Sequence, residues 1–181
     1  EIKITQGKSQ KEFNINNLRS NIVTIRIGQG HGSGFFVGNN GYLLTNAHVV
    51  GDSKSVQIIT SSGMEIEGQV IRKNKSRDVS LIKVPLKITN SLYLKFQIPD
   101  IASDVYAAGT PIDEALKTTV TKGIISNIRV DNASGLKFIQ ADASISPGNS
   151  GGPLFDKFGN VIGISVAKYN ANRAEGLGLF I

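Results

Sequence analysis

The stretch "ISPGNSGGPLF", residues 145–155, decides how the rest of the chain is read. Its centre, Gly148-Asn149-Ser150-Gly151-Gly152, fits G-x-S-x-G, the sharp strand-to-helix elbow that carries the nucleophile of α/β-hydrolases. The same letters also surround a serine nucleophile on an unrelated all-β scaffold. They can equally be a plain glycine turn between two strands. Five residues do not choose among the three, so the choice rests on what lies elsewhere.

The elbow makes two demands. Its chain order is serine, acid, histidine, yet His31 and His48, the only histidines, both precede Ser150. It also needs strands alternating with helices. The chain shows instead short β-branched runs separated by turn signals. The first series is Ile22–Ile27, Gly34–Val37, Tyr42–Thr45, Val56–Ile59, Glu65–Arg72 and Val79–Val84. Turn signals between them include "GNNG" at 38–41, "SSG" at 61–63 and "KNKSR" at 73–77. After an irregular stretch around Pro85–Asp100 comes the second series: Val105–Ala108, Thr118–Ile128, Lys137–Ala141, Pro153–Phe155, Val161–Val166 and Gly178–Ile181. Two sets of six closely spaced strands read as barrels or sandwiches. No long amphipathic helix is evident, though helical turns are expected after His48 or in the connector. The elbow is therefore excluded twice over.

Composition narrows the function classes. The chain has 181 residues, 40% hydrophobic and 19% charged, a globular balance. No apolar run approaches the roughly 18 residues of a membrane span, so no integral membrane segment is expected. The first residues, Glu1-Ile2-Lys3-Ile4, carry no apolar signal core. There are no cysteines, which excludes disulfides, thiolate metal sites and a cysteine nucleophile. Two separated histidines without thiolates argue against zinc, so neither metal nor cofactor is expected. The net charge is +6, but the basic residues are scattered, with the densest group from Arg72 to Arg77. They lack the aromatic interleaving of a nucleic-acid platform, and a solvated basic surface is the simpler reading.

The order histidine, aspartate, serine is available: His48 in "LLTNAHVV", Asp78 in "SRDVSLIKV" and Ser150 in "GNSGGP". With these stretches on the page, the chain resembles the trypsin-like serine proteases, and specifically their HtrA branch. "GSGFFV" at 32–37 and "GYLLTNAHVV" at 41–50 resemble that branch's first-barrel motifs. "TVTKGIIS" at 119–126, "FIQADASISPGNSGGPLFDKFGNVIGI" at 138–164 and the closing "GLGLFI" resemble its second. The similarity covers roughly 20–181. It implies an all-β fold of two six-stranded antiparallel barrels with the site in the cleft between them. Barrel one would span about 20–84, a connector 85–103 and barrel two 104–181. Residues 1–19 would be a loosely attached lead-in.

The chemistry needs each residue type for a reason. A serine hydroxyl attacks a carbonyl poorly unless a base takes its proton, which makes Ser150 the candidate nucleophile. Imidazole exchanges protons near neutral pH, so His48 is the candidate base and then acid. Asp78 would orient His48 and stabilise its charged form. It directly precedes the apolar run "VSLIKV", where a carboxylate can sit at a barrel edge. Asp52 could touch His48 locally on a helical turn but reads as a surface residue, and Asp142 reads as support for the nucleophile loop. The bland alternatives are a turn serine, a buried histidine capping a helical turn, and a solvated strand-cap aspartate. The negative oxygen formed on attack needs preorganised backbone N–H donors, for which Gly148 and Ser150 are the candidates. Glycine at 148 permits unusual dihedrals, while Gly151 and Gly152 leave room for close packing. His31, in "GHGSG", reads as a loop residue.

The primary pocket would have Ser144 at its base, six residues before Ser150, with no acid to pair with a substrate Lys or Arg. Ile145 lies beside it, and Ile164-Ser165-Val166 would be the strand along which substrate lies. A short apolar pocket for small or medium aliphatic residues is expected, unless Lys168 points inward and favours an acidic one. The resemblance further implies unfolded or damaged polypeptide substrates, a role in protein quality control and a homotrimer built by N-terminal contacts. It implies a bacterial periplasmic or exported location, with an organelle as the alternative, and often a PDZ domain after the protease, which would lie beyond Ile181 or be absent. Two alternatives stay open: a specialised acid-selective protease of glutamyl-endopeptidase type, and a catalytically silent protease-shaped scaffold.

Overall fold

A computed structural model describes residues 14, 18–110, 118–132, 134–166 and 178–181. Twelve strands and one short helix follow in chain order. They are β1 (Ile22–Ile27), β2 (Gly30–Val37), β3 (Tyr42–Thr45), α1 (Ala47–Val50), β4 (Ser55–Ile59), β5 (Glu65–Asn74), β6 (Val79–Lys83), β7 (Asp104–Gly109), β8 (Thr119–Val130), β9 (Lys137–Ala141), β10 (Pro153–Asp156), β11 (Val161–Ile164) and β12 (Gly178–Phe180). Each expected strand run corresponds to one of these. The largest departure is β2, which begins at Gly30 rather than Gly34. His31 is therefore a strand residue paired with Arg26, not a loop residue. The glycines of "GHGSG" read as a loop because they lack side chains. Gly32 instead serves a close approach: a Cβ there would lie 2.8 Å from Val49 and 3.1 Å from the Ser150 carbonyl.

The first six strands close into a barrel in the order β1-β2-β3-β6-β5-β4, every pair antiparallel. The second six form a sheet in the order β11-β10-β7-β8-β9-β12. Its outer strands meet just past β11: Ile164 and Ile181 exchange N–H···O bonds at 2.6 and 3.0 Å, and the Val166 N–H donates to Leu179 O at 2.9 Å. Closure removes the edges of the first sheet, and these bonds partly cover the outer strands of the second. The architecture is the all-β, two-barrel arrangement that the sequence leads one to expect.

Strand alternation explains how two barrels come to share a third core. On β2, Phe36 points into the first barrel with Val23, Ile25, Leu43 and Ile58. Its neighbours Phe35 and Val37 face the other way and pack with Ile22, Leu92, Phe155 and Val161, drawn from both halves. Phe35 and Phe155 are fully buried there, each contributing roughly 1.5–3 kcal/mol by transfer from water. Leu18 joins this cluster, so the end of the lead-in is anchored rather than loose; 1–13 and 15–17 lie outside the described residues. The connector carries no strand, yet Leu92 bridges to Val37 and Leu94 to Val161, lashing it across both sheets.

One buried carboxylate secures that lashing. Asp156, 2% exposed at the end of β10, accepts N–H bonds from Phe158 and Asn160 at 2.9 Å and a bond from the Lys95 ammonium at 2.9 Å. Burial would push its carboxyl up. The Lys95 ammonium, the Asn160 side chain and the backbone donors outweigh burial and hold it below the usual value. A depressed folded-state pKa means the stabilisation is complete above the unfolded carboxylate range, near pH 4, and is lost as pH falls through the folded value. The melting temperature should therefore drop as pH falls below about 4, and less steeply in Asp156→Asn, itself less stable at pH 7 by about 2 kcal/mol. Parallel acid profiles for the two proteins would contradict this.

Candidate active site

Asn46 ends β3 and opens α1 in an extended conformation, but its side chain does not cap the helix. Its amide donates instead to the Asp78 carbonyl at 3.0 Å. The cap comes from the neighbouring strand's start: Asp78, just before β6, accepts the His48 backbone N–H at its Oδ1 at 2.8 Å, one of the orphan donors of a helix start. Asp78 Oδ2 lies 2.6 Å from His48 Nδ1. Both oxygens of one carboxylate thus hold one histidine, by its backbone and by its ring. An ionised carboxylate only accepts, so the bond places the proton on Nδ1 and leaves Nε2 with its lone pair. Asp78 adopts φ 50, a left-handed conformation that aspartate tolerates better than most residues. Both side chains are mostly shielded, at 19% and 26% exposure, which strengthens the pair relative to bulk water.

The nucleophile loop is two consecutive turns. The Asn149 N–H bonds to Ser146 O and the Gly152 N–H to Asn149 O, each at 2.9 Å. The third residue of each turn has positive φ, 97° at Gly148 and 85° at Gly151. In the first turn the second residue is Pro147, whose ring forbids positive φ. Proline second with positive φ third is the type II pattern, which sets the Pro147–Gly148 peptide one way up; a type I turn would present it flipped. Gly151 therefore serves a dihedral as well as space. Gly152 serves space alone, because a Cβ there would fall 2.1 Å from Ala108 O.

The first barrel grips this loop. The Ser33 N–H donates to Ser150 O at 2.7 Å, and a Cβ on Gly151 would collide with Ser33 O and Thr45 Oγ1. The same Cβ would lie 3.3 Å from the Asn46 backbone nitrogen. The loop bearing Ser150 is thus packed against the junction of β3 and α1 that carries His48. Ser150 itself is 9% exposed.

The remaining sequence candidates fall as follows. Asp52 is a surface residue paired with Lys75 at 2.9 Å, and that bonded ammonium, with Lys73 beyond it, holds its carboxyl below the usual range. Asp142 accepts the Ile124 N–H at 2.6 Å and so joins the approach to the nucleophile loop to β8. Ser144 is exposed, with its carbonyl bonded by the Thr121 hydroxyl at 2.7 Å. Ile145 packs partly against the second-barrel core. The N–H groups of Ile164, Ser165 and Val166 all donate internally, to Ile181, Gly152 and Leu179. The carbonyls of Ile164 and Ser165 are engaged as well, by the N–H groups of Ile181 and Gly151, so at these two positions the backbone is already paired within the domain. Lys168 lies outside the described residues. Sequence reading missed Ser33, Thr45 and Asn46. The available signal was a polar residue at a buried strand position, and all three are 0% exposed.

Two barrels, a carboxylate-bound histidine and a tight serine loop between them define a trypsin-like peptidase. The comparisons agree: the family model described as "Trypsin-like peptidase domain" matches residues 32–164, and the chain belongs to that family. Within it, the relatives are of the DegP/HtrA kind. The chain is 39% identical over 148 residues to "Probable periplasmic serine endoprotease DegP-like" of Pseudomonas fulva, covering 77% of this chain and 29% of that protein. A protein of the same name from Rhizobium meliloti is 37% identical over 147 residues, covering 78% and 29%. Among solved structures, "HtrA-type protease AlgW with tripeptide" superimposes with a TM-score of 0.83 at 29% identity, covering 92% of this chain and 57% of that one. A serine endoprotease from Yersinia pestis gives 0.78 at 29% identity, covering 92% and 60%. The chain thus spans about three tenths of the length of the curated relatives it matches.

Proposed function

We propose that this chain is a serine endopeptidase domain acting on polypeptides through His48, Asp78 and Ser150. The observation that carries the reading is the double grip of Asp78 on His48, which leaves Nε2 able to take a proton. Ser150 Oγ attacks the scissile carbonyl as His48 Nε2 removes its proton. The N–H groups of Gly148 and Ser150 stabilise the resulting oxyanion. His48 then protonates the leaving amine, and water, activated by the same histidine, releases the acid product from the acyl-enzyme. Asp78 stays ionised and stabilises the imidazolium. Unfolded or damaged proteins are the substrates proposed, in quality control, with assembly as a trimer. These last points rest on family resemblance.

The test is active-site labelling. A fluorophosphonate probe should modify Ser150, located by peptide mass spectrometry, and the protein should cleave casein. A parent protein that neither labels nor cleaves would overturn the reading. By family resemblance Ser144 would stand at the base of the primary pocket without a charge, with the apolar Ile145 beside it. A peptide library should therefore show cleavage after small or medium aliphatic residues. Dominant cutting after Arg or Lys would refute the apolar pocket, and cutting after Glu or Asp would favour the acid-selective alternative.

A further inference from the structure

Ser33 is fully buried on β2, in the barrel that does not contain the nucleophile loop. Its hydroxyl lies 2.7 Å from the Gly148 carbonyl, 2.8 Å from the Thr110 backbone nitrogen and 3.1 Å from Thr110 Oγ1. The proton bookkeeping has one solution. A carbonyl only accepts and a backbone N–H only donates, so the single Ser33 proton goes to Gly148 O, and Ser33 Oγ accepts from Thr110. The backbone of Ser33 is engaged as well: its N–H donates to Ser150 O at 2.7 Å, and its carbonyl accepts the Thr45 hydroxyl at 2.7 Å.

One residue therefore holds the loop at two points, Gly148 O and Ser150 O, on either side of Asn149. Glycine at 148 lets the loop reach φ 97, but it also leaves that residue the freest to rotate. The Gly148 carbonyl and the Asn149 N–H belong to one planar peptide; the turn bond to Ser146 O holds its N–H end, and its carbonyl end is left to a restraint from outside the turn. The Ser33 hydroxyl supplies that restraint. Gly148 and Ser150 are the residues whose N–H groups the proposed mechanism aims at the oxyanion.

We propose that Ser33 is a positioning residue for oxyanion stabilisation: its hydroxyl, supported by Thr110, fixes the Gly148–Asn149 peptide, which lies between the two peptides that carry the Gly148 and Ser150 N–H groups, so that these converge before substrate arrives. It acts through Gly148 and touches no reacting atom. The proposal rests on the endopeptidase reading above.

The test compares the parent with Ser33→Ala and Ser33→Cys. The readouts are steady-state cleavage of a peptide substrate, affinity for a peptide aldehyde that adds reversibly to a serine hydroxyl as a tetrahedral hemiacetal, and melting temperature. A lost oxyanion donor costs about 10²–10³-fold in kcat, and a misdirected one should cost somewhat less. Ser33→Ala is expected to lower kcat about 10- to 100-fold with KM within about twofold, and to weaken the aldehyde by a similar factor. Ser33→Cys, a weaker donor of similar size, should fall between the two. A loss confined to KM, or a folded Ser33→Ala with parental kcat and aldehyde affinity, overturns the proposal and leaves the endopeptidase reading intact. Should Ser33→Ala not fold, parental kcat in Ser33→Cys overturns it instead. A parent inert toward casein and fluorophosphonate removes both readings together.

Discussion

Ser150→Ala is expected to reduce casein and peptide cleavage by about a millionfold, to the floor of any ordinary assay, with the melting temperature within a few degrees of the parent. The size of the effect follows from unit behaviour. Nucleophile, base and orienting acid act as one device, so removing the attacking oxygen leaves only binding and the N–H groups of the loop. The small cost to stability has a structural reason. The loop is held by its backbone, through Ser150 O to Ser33 and Gly151 N to Ser165 O, and those bonds survive loss of the hydroxyl. His48→Ala should lose activity to a similar degree, and the double variant should be scarcely worse than either single one. Additive losses would show that the two side chains do not work together. Cleavage surviving Ser150→Ala would place the nucleophile elsewhere.

Asp78→Asn is expected to lower kcat about 10⁴-fold while leaving the fold intact. Asparagine keeps an oxygen for the His48 backbone N–H, so the start of α1 stays capped. Its amide nitrogen, however, would face Nδ1, now at 2.6 Å from a carboxylate oxygen. A donor there favours the tautomer with its proton on Nε2, and such a ring cannot accept the proton of Ser150. The geometry is preserved and the proton is on the wrong nitrogen. Asp78→Ala should differ in kind: it also removes the trans cap and costs about 1 kcal/mol or more of stability. A loss of less than tenfold in Asp78→Asn would mean that Asp78 does not set the state of His48.

Much of this fold was legible because its determinants are local. A strand announces itself by β-branched alternation over a few residues, and β1, β3, β4, β7 and β9 lie within a residue of where that pattern places them. A helical turn was expected after His48 or in the connector, and it forms at Ala47–Val50. β2 was read short because glycines carry no pattern, although Gly32 sits in the strand and makes room for Ser150 O. Asp78 was chosen over Asp52 by its place before an apolar run and by resemblance. The distances bear on that choice: one carboxylate clasps His48 and the other pairs with Lys75.

The sequence by itself determined the strands and the exclusion of a hydrolase elbow, and it limited the turns open to the opening stretch. Proline and glycine inside "SPGN" restrict the turn locally: Pro147 fixes its own φ, and Gly148 permits the positive φ that type II requires. Only the tertiary structure decided what those turns are held against. The Asp78–His48 bond joins residues 30 apart, and the Ser33–Gly148 bond joins residues 115 apart. No periodicity encodes such pairs; the first exists because β3 pairs with β6, the second because one face of β2 packs against the second half of the chain. A buried serine in a strand looks the same in sequence whether it satisfies its own backbone or clamps a loop of the other barrel. Which of the two it does depends on what the closed fold brings within 3 Å of its hydroxyl, here the carbonyl of Gly148 at 2.7 Å.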